Sequence, residues 1–558
     1  MQAHLAGGPP DGSPPAPALG AAQPPPVAPA GAGAGGAPEA DAGRRAGRGG
    51  LAVAGAKIYF ILMGLVQQVA LKRVLGLEGY GALSSALSAS SIVYNPIVAA
   101  SLQGVSHAVA TSPESERPQA LRSALRVHGV AAGGLGLAFL LFAPALGELT
   151  GATHIVTTLR LLSAVLVAYG LYAPLVGALN GQTRFVSQAG LDALAATLRT
   201  VGLVGGALLV AGLRWPGLGG VEGAALGFVL SSSLVLVITL WRVGVGRGGP
   251  RGRSLPAYLR YIGPILIGQV LLNLLFQADA LLLRRFSADA AASAGLQPTA
   301  ADPLVGAYRA TQLFCFLPYQ LVTTVSIVLF PMLARAHHGG DRAAVGRYVQ
   351  QGMRLSLIAA GALVTVTHSL SGPLLSLVFG AEVAALAAAP MQLLALGLGS
   401  LALLGVLTAV LNSLQRQRQS LIVTGLACAL VTALCFGRVR GLPFGPHLLW
   451  HTAVATSVAL LAATLVAGFL VYRGAGAVVA PASAVRVLAA VGLAAFGGRL
   501  WPQPSLLLTP VASALLVVAY LLALIALREL TGADWRALRS VLARRSAGAA
   551  RSAAPGAT

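Results

Sequence analysis

The apolar positions of this chain fall in long runs, most of them about as long as a bilayer hydrocarbon core requires. The first seven lie near Leu51–Leu71, Ala82–Val105, Val127–Leu146, Ile155–Leu179, Ala189–Leu213, Val221–Leu240 and Tyr261–Leu283. The others lie near Val305–Leu329, Met353–Phe379, Ala388–Leu411, Leu421–Phe436, Leu448–Val471, Pro481–Phe496 and Leu506–Leu527. The pattern predicts an all-α, polytopic membrane protein with about fourteen transmembrane helices, or about twelve or thirteen if the short eleventh and thirteenth runs do not cross.

Composition points the same way. The 558 residues are 56% hydrophobic and 10% charged, with a mean hydropathy of +0.77, which leaves too little polar surface to cover a soluble globule. The net charge of +22 sorts by loop. With the N-terminus inside, basic residues favour the inner side by roughly 26 to 10. Arg122 and Arg126, Arg242 and Arg260, Arg342 and Arg347, and Arg416 and Arg418 all fall there. The charge therefore reads as topology and attraction to anionic lipid, and nucleic-acid binding is the poorer reading.

Residues 1–50 are rich in Pro, Ala and Gly and are expected to form a disordered cytoplasmic tail. The spans then divide into residues 51–242 and 257–473, two further helices in 481–527, and a basic cytoplasmic tail in 528–558. No cleavable signal peptide is expected, because the first apolar run is long enough to span. Asp534–Arg545 could lie along the inner interface as an amphipathic helix or be an ordinary solvated tail. Gly31, Gly33 and Gly36 form a GxGxxG with no strand before it, so no nucleotide or other cofactor is expected. Cys315, Cys428 and Cys435 fall within spans and read as buried thiols. His447 and His451 lack a third ligand, so no metal site is expected.

A lipid-facing helix needs no polar stripe, so polar residues recurring along one face mark a cavity or a partner. Four spans carry such stripes: Lys57, Gly64, Gln68 and Lys72 on the first; Ser84, Ser88, Ser91 and Asn95 on the second; Gln269, Asn273 and Gln277 on the seventh; and Tyr308, Arg309, Gln312, Tyr319 and Gln320 on the eighth. Matching positions in two halves suit a duplicated transporter with its pathway between the halves. Two local matches support a duplication: Leu179, Asn180 and Arg184 recur as Leu411, Asn412 and Arg416, and Gly79–Tyr80 recurs as Gly306–Ala307–Tyr308. An even number of spans separates them, which implies parallel repeats.

Individual residues have competing readings. The serines of the second span serve either packing or lining. Lys57 either snorkels to the interface or faces the cavity. Arg309 either pairs with Asp279 or contacts an anion. Asp279 points away from the Gln269–Asn273–Gln277 face on a helical wheel and could carry a coupling proton. Asp192 and Arg199 are expected to have separate structural partners.

Three segments carry a family resemblance: Arg73–Ser91 (RVLGLEGYGALSSALSASS), Ala178–Gly190 (ALNGQTRFVSQAG) and Val305–Arg335 (VGAYRATQLFCFLPYQLVTTVSIVLFPMLAR). They resemble Wzx-type polysaccharide flippases of the multidrug/oligosaccharidyl-lipid/polysaccharide exporter superfamily. The resemblance implies two six-helix lobes arranged as a V, with helices one, two, seven and eight lining a central cavity and two extra helices at the C-terminus. It also implies a non-enzymatic protein of the bacterial inner membrane that moves undecaprenyl-diphosphate-linked oligosaccharide from the inner to the outer leaflet. Both termini would be cytoplasmic, and the pathway would be cell-surface polysaccharide or lipopolysaccharide synthesis, with glycosyltransferases or a polymerase as partners. Lys57 and Arg309 could then meet the diphosphate, while Gln68, Asn95, Asn273, Gln277, Gln312 and Gln320 meet sugar hydroxyls. The opening around Arg73 does not match the peptidoglycan-precursor flippase of the superfamily. The alternative is a multidrug or cation-coupled exporter of the same superfamily, disfavoured by the scarcity of carboxylates in the first six spans. A membrane glycosyltransferase or polymerase is less favoured still, because the outer loop Arg284–Leu304 is short and offers only Asp289 and Asp302.

Overall fold

The computed structural model describes residues 36–213, 215–246, 255–500 and 505–532. The elements among them are helical, with no strand. They are α1 (Gly36–Ala110), α2 (Arg117–Leu149), α3 (Val156–Gly181), α4 (Phe185–Leu213), α5 (Gly220–Val243), α6 (Leu255–Ser293), α7 (Asp302–Cys315), α8 (Leu317–His338), α9 (Arg342–Ser369), α10 (Ser371–Phe379), α11 (Ala381–Ser413), α12 (Gln417–Arg438), α13 (His447–Ala475), α14 (Pro481–Leu500) and α15 (Thr509–Ala526). Large apolar side chains such as Leu230, Trp241, Leu465 and Leu507 stand exposed at 67% or more. Only lipid makes such a surface favourable.

Among the described residues twelve helices are long and apolar enough to cross a bilayer, or thirteen if a bent pair, Pro298–Ser326 with Leu329–His338, is one span. The reading of fourteen differs chiefly at Ile58–Ala110, a single 53-residue helix. It is broken at Gly76 (φ 71°, ψ −178°), a conformation open to glycine without strain. Before the break Tyr59 bonds Thr197 at 2.7 Å and the Met63 carbonyl accepts from Thr200, so this stretch runs along α4. After the break Leu102 and Ser106 lie against Gly177 and Gly181, so the chain returns along α3. From Gly36 the backbone belongs to α1. Residues 1–35 and the amphipathic stretch Asp534–Arg545 lie outside the described residues.

Helices α1 to α5 pack on one another, as do α6 to α13, and α1 also packs on α6 and α7. Close approach inside each bundle uses small residues, as helix packing in lipid does. A Cβ built on Gly227 would lie 1.8 Å from the Gly202 carbonyl oxygen, and one on Gly206 would lie 2.2 Å from that of Gly223. In the second bundle Ser457 bonds the Leu393 carbonyl at 2.9 Å and Thr464 bonds that of Ser400 at 3.0 Å. Helices α14 and α15 pack on α9, where Tyr520 donates to the Ile358 carbonyl at 3.0 Å.

The suspected repeat has a geometric counterpart. After α3, Gln182, Thr183 and Arg184 donate to the carbonyls of Ala178, Asn180 and Leu179. After α11, Leu414, Gln415 and Arg416 donate to those of Val410, Asn412 and Leu411. Thr183 and Gln415 both have φ 60°.

Candidate functional site

The two bundles meet along the second half of α1. At the Gly76 end the approach is backbone to backbone: a Cβ on Gly81 would lie 1.9 Å from the Asp302 carbonyl oxygen, and one on Gly306 would lie 2.8 Å from that of Leu77. Around this contact Arg285 donates to the Glu148 carbonyl at 2.7 Å, His154 lies 2.9 Å from Asp302, and Lys72 lies 3.8 Å from Glu382. Asp302 is itself buried against Arg284 at 3.3 Å.

One helical turn further in, the seam is polar. Arg309 of α7 donates to Ser88 of α1, to Gln277 of α6 and, at 2.5 Å, to Gln312 Oε1. The Gln312 amide nitrogen then donates to both oxygens of Asp279, at 3.1 and 2.9 Å. Asp279 is 2% exposed and also accepts from Tyr308 at 2.8 Å, from Thr456 of α13 at 3.4 Å and from the Ala280 amide at 2.8 Å. A carboxylate with this many donors and a guanidinium with three acceptors satisfy the requirement that charges inside a membrane be paired. Charge is shared through one side-chain amide rather than by direct contact.

Among the sequence candidates, Gln277, Arg309, Gln312 and Asp279 are thus brought together. Two expectations change. Arg309 reaches Asp279 only through Gln312, and Asp279 belongs to the same network as Gln277 although a helical wheel sets them apart. The long side chains of α7 reach around α6, which an angular projection of Cα positions cannot register. Asn273 is buried and donates to the Gln269 carbonyl of its own helix at 2.9 Å. Gln68 on the first half of α1, Asn95 on the second half and Gln320 on α8 are half-buried and stand outside this network. Lys57 lies on α1, and its side chain is outside the described residues. Ser88 donates to the Ser84 carbonyl at 2.6 Å while accepting from Arg309, so packing and lining coexist in it. Thr456 was missed because the hydroxyls of α13, Thr452, Thr456, Ser457 and Thr464, read as ordinary helix packing.

A separate apolar cavity of about 310 Å³ lies between α14 and α15, lined by Leu370, Leu493, Gly498, Leu515 and Ala519. It has no charged wall and does not join the seam.

The profile of a family described as polysaccharide biosynthesis protein matches residues 46–337, more than half of the chain. No curated protein matches significantly. Among solved structures, the lipid II flippase MurJ in an inward closed conformation aligns with a TM-score of 0.67 at 15% identity, covering 86% of this chain and 99% of that one. An inward-facing multidrug resistance MATE family transporter of the MOP superfamily aligns at 0.59 and 15% identity, covering 74% and 95%. A MOP superfamily transporter from Pyrococcus furiosus, described as having a binding pocket of reverse polarity, aligns at 0.56 and 14% identity, covering 76% and 95%. The chain is a multi-pass membrane protein of the polysaccharide biosynthesis family, with the fold of MurJ and the MATE transporters of the MOP superfamily.

Proposed function

We propose that this protein flips an undecaprenyl-diphosphate-linked oligosaccharide from the inner to the outer leaflet of a bacterial inner membrane by alternating access, for cell-surface polysaccharide synthesis. The observation that carries the reading is Arg309, a permanent cation at the seam between two bundles, held by hydroxyl and amide groups rather than by a direct carboxylate. A diphosphate offers stronger, charge-assisted acceptors than Ser88 and Gln277, so the guanidinium can exchange partners as cargo arrives. Lys57 supplies a second cation, and Gln68, Asn95, Asn273, Gln277, Gln312 and Gln320 are proposed to serve sugar hydroxyls. The lipid tail stays in the bilayer while the head group crosses, and no covalent bond changes. The distribution of basic loop residues supports the proposed orientation, with both termini cytoplasmic and the Gly76 end outward. Glycosyltransferases or a polymerase of the same pathway are the proposed partners.

The buried Asp279 favours one second reading, a cation-coupled exporter in which that carboxylate binds the driving proton or ion. Proteoliposome translocation separates the two. The lipid-linked oligosaccharide should cross with native protein and be lost with Lys57→Ala and Arg309→Ala. Export of a cationic amphiphile that needs Asp279, with no oligosaccharide movement, would establish the second reading instead.

A further inference from the structure

At the end of the seam opposite Gly76, a second contact between the bundles uses residues outside the proposed cargo site. His128 of α2 is 5% exposed and is bonded at both ring nitrogens. Nδ1 lies 2.8 Å from the Ser101 hydroxyl on α1, and Nε2 lies 2.7 Å from the Tyr258 hydroxyl on α6. Two more features sit at the same level. The His107 ring stacks on that of Tyr261 with centroids 4.4 Å apart. Gly104 lets the helices close in, since a Cβ there would lie 3.0 Å from both the Tyr258 hydroxyl and Ile262 Cδ1. Ser101 and His128 belong to the first bundle and Tyr258 to the second.

We infer that the Ser101–His128–Tyr258 chain is the latch that holds the inner ends of the bundles together, and that it must open for cargo to enter from the cytoplasmic side. The inference rests on the alternating-access reading. An imidazole has one nitrogen that donates and one that accepts, and hydroxyls on both sides can take either role. Both ring nitrogens of His128 are therefore satisfied while the latch is shut. Once the bundles part, Ser101, His128 and Tyr258 face an aqueous vestibule, where water replaces the lost bonds at small net cost. That balance suits a contact made and broken in each cycle. The Gly76 end differs: His154 on Asp302, Arg285 on the Glu148 carbonyl, Lys72 near Glu382 and the backbone-to-backbone approach at Gly81 all cross between the bundles there, and more contacts are lost when it opens. The structure is latched at both ends, and the inner latch is the weaker one. A rival arrangement has the first turns of α6 permanently docked on α1 and α2, with bending at Pro264.

Spin labels distinguish them. Arg126→Cys on α2 and Arg260→Cys on α6 are exposed at the inner end, and Thr153→Cys and Ala292→Cys are exposed at the outer end. The native cysteines are buried and do not compete for label. In reconstituted full-length protein without substrate, Tyr258→Phe and His128→Phe should each raise the weight of the longer inner distance by about fivefold, the shift expected from one lost net hydrogen bond. The outer distance should stay unchanged. An inner distribution unaffected by both variants would overturn the latch in favour of the docked arrangement. Lengthening at both ends would overturn it too, by making the contact general packing. The distances are read without cargo, so failure of the native protein to translocate oligosaccharide would count against the function and not against the latch.

Discussion

Arg309 of one bundle donates to the hydroxyl of Ser88 on the other, and Ser88 in turn donates to the Ser84 carbonyl at 2.6 Å. The cation is thereby anchored to the backbone of α1, with its remaining bonds fixed by Gln277 and Gln312 of its own bundle. Fork geometry and charge both matter here, and a lysine keeps only the charge. Arg309→Lys should slow oligosaccharide translocation by about tenfold or more, the scale of a lost charge-assisted hydrogen bond. Ser88→Ala should slow it less. Initial rates in proteoliposomes report both, and a native rate in Arg309→Lys would mean that charge alone suffices.

Gln312 couples Arg309 to Asp279. Removing the carboxylate by Asp279→Asn leaves a membrane-buried guanidinium without its counter-charge, a loss of ~3–5 kcal/mol for buried pairs of this kind. Arg309→Gln leaves the reverse imbalance. The double variant should recover much of the loss, because neither charge then remains unpaired. Thermal unfolding in detergent tests the cycle, and strictly additive losses would show that the amide does not connect the two charges.

The helices were legible in the chain because a bilayer admits few alternatives: an apolar run of spanning length must satisfy its backbone internally. The polar stripes located Gln277, Arg309 and Gln312 for the same reason, since polar groups in lipid avoid the lipid face. The continuity of α1 through Gly76 was not legible, because one glycine at φ 71° reverses the chain while helix persists on both sides. Thr456 escaped notice because hydroxyls in an apolar helix usually bond back to their own turn, as Thr452 does, and only the fold brings α13 against Asp279. The His128 contact was equally hidden, for it joins residues 27 and 130 positions apart.

Helices α4 and α5 approach too closely to admit one additional methyl group. In Gly227→Ala the new carbon would start 1.8 Å from the Gly202 carbonyl oxygen and 3.1 Å from Gly206 Cα, and both neighbours are backbone that cannot rotate away. The helices must separate, at the ~1–3 kcal/mol typical of overpacking. The unfolding midpoint should fall, whereas Gly205→Ala on the facing helix α4, with open space around it, should leave it near native. Equal midpoints for the two would contradict the packing described.

Glu529 ties the last two helices to the body of the protein. It is 3% exposed, receives Arg354 at 2.7 Å and Ser483, and lies 3.7 Å from Arg486. Arg354 is one-third exposed, so screening reduces the strength of the pair. Glu529→Gln should loosen α14 and α15 from α9 without unfolding the rest. Hydrogen exchange should quicken in residues 509–526 and stay native in α1 to α5. Faster exchange throughout would indicate that the two helices support the whole fold.

The equal turns after α3 and α11 yield a prediction that joins stability to the duplication. Thr183 and Gln415 both sit at φ 60°, where a Cβ is disfavoured and a β-branched residue most of all. Glycine removes that strain and leaves every main-chain bond in place, because the donors that close each turn are backbone amides. Thr183→Gly and Gln415→Gly should each stabilise by about 1 kcal/mol, with the larger gain at Thr183. Each lies in a loop with no shared partner, so the double variant should show the sum. Thermal unfolding decides it. If Thr183→Gly destabilises while Gln415→Gly stabilises, the two turns are not equivalent and their common spacing of Leu, Asn and Arg would lose its structural support as a repeat.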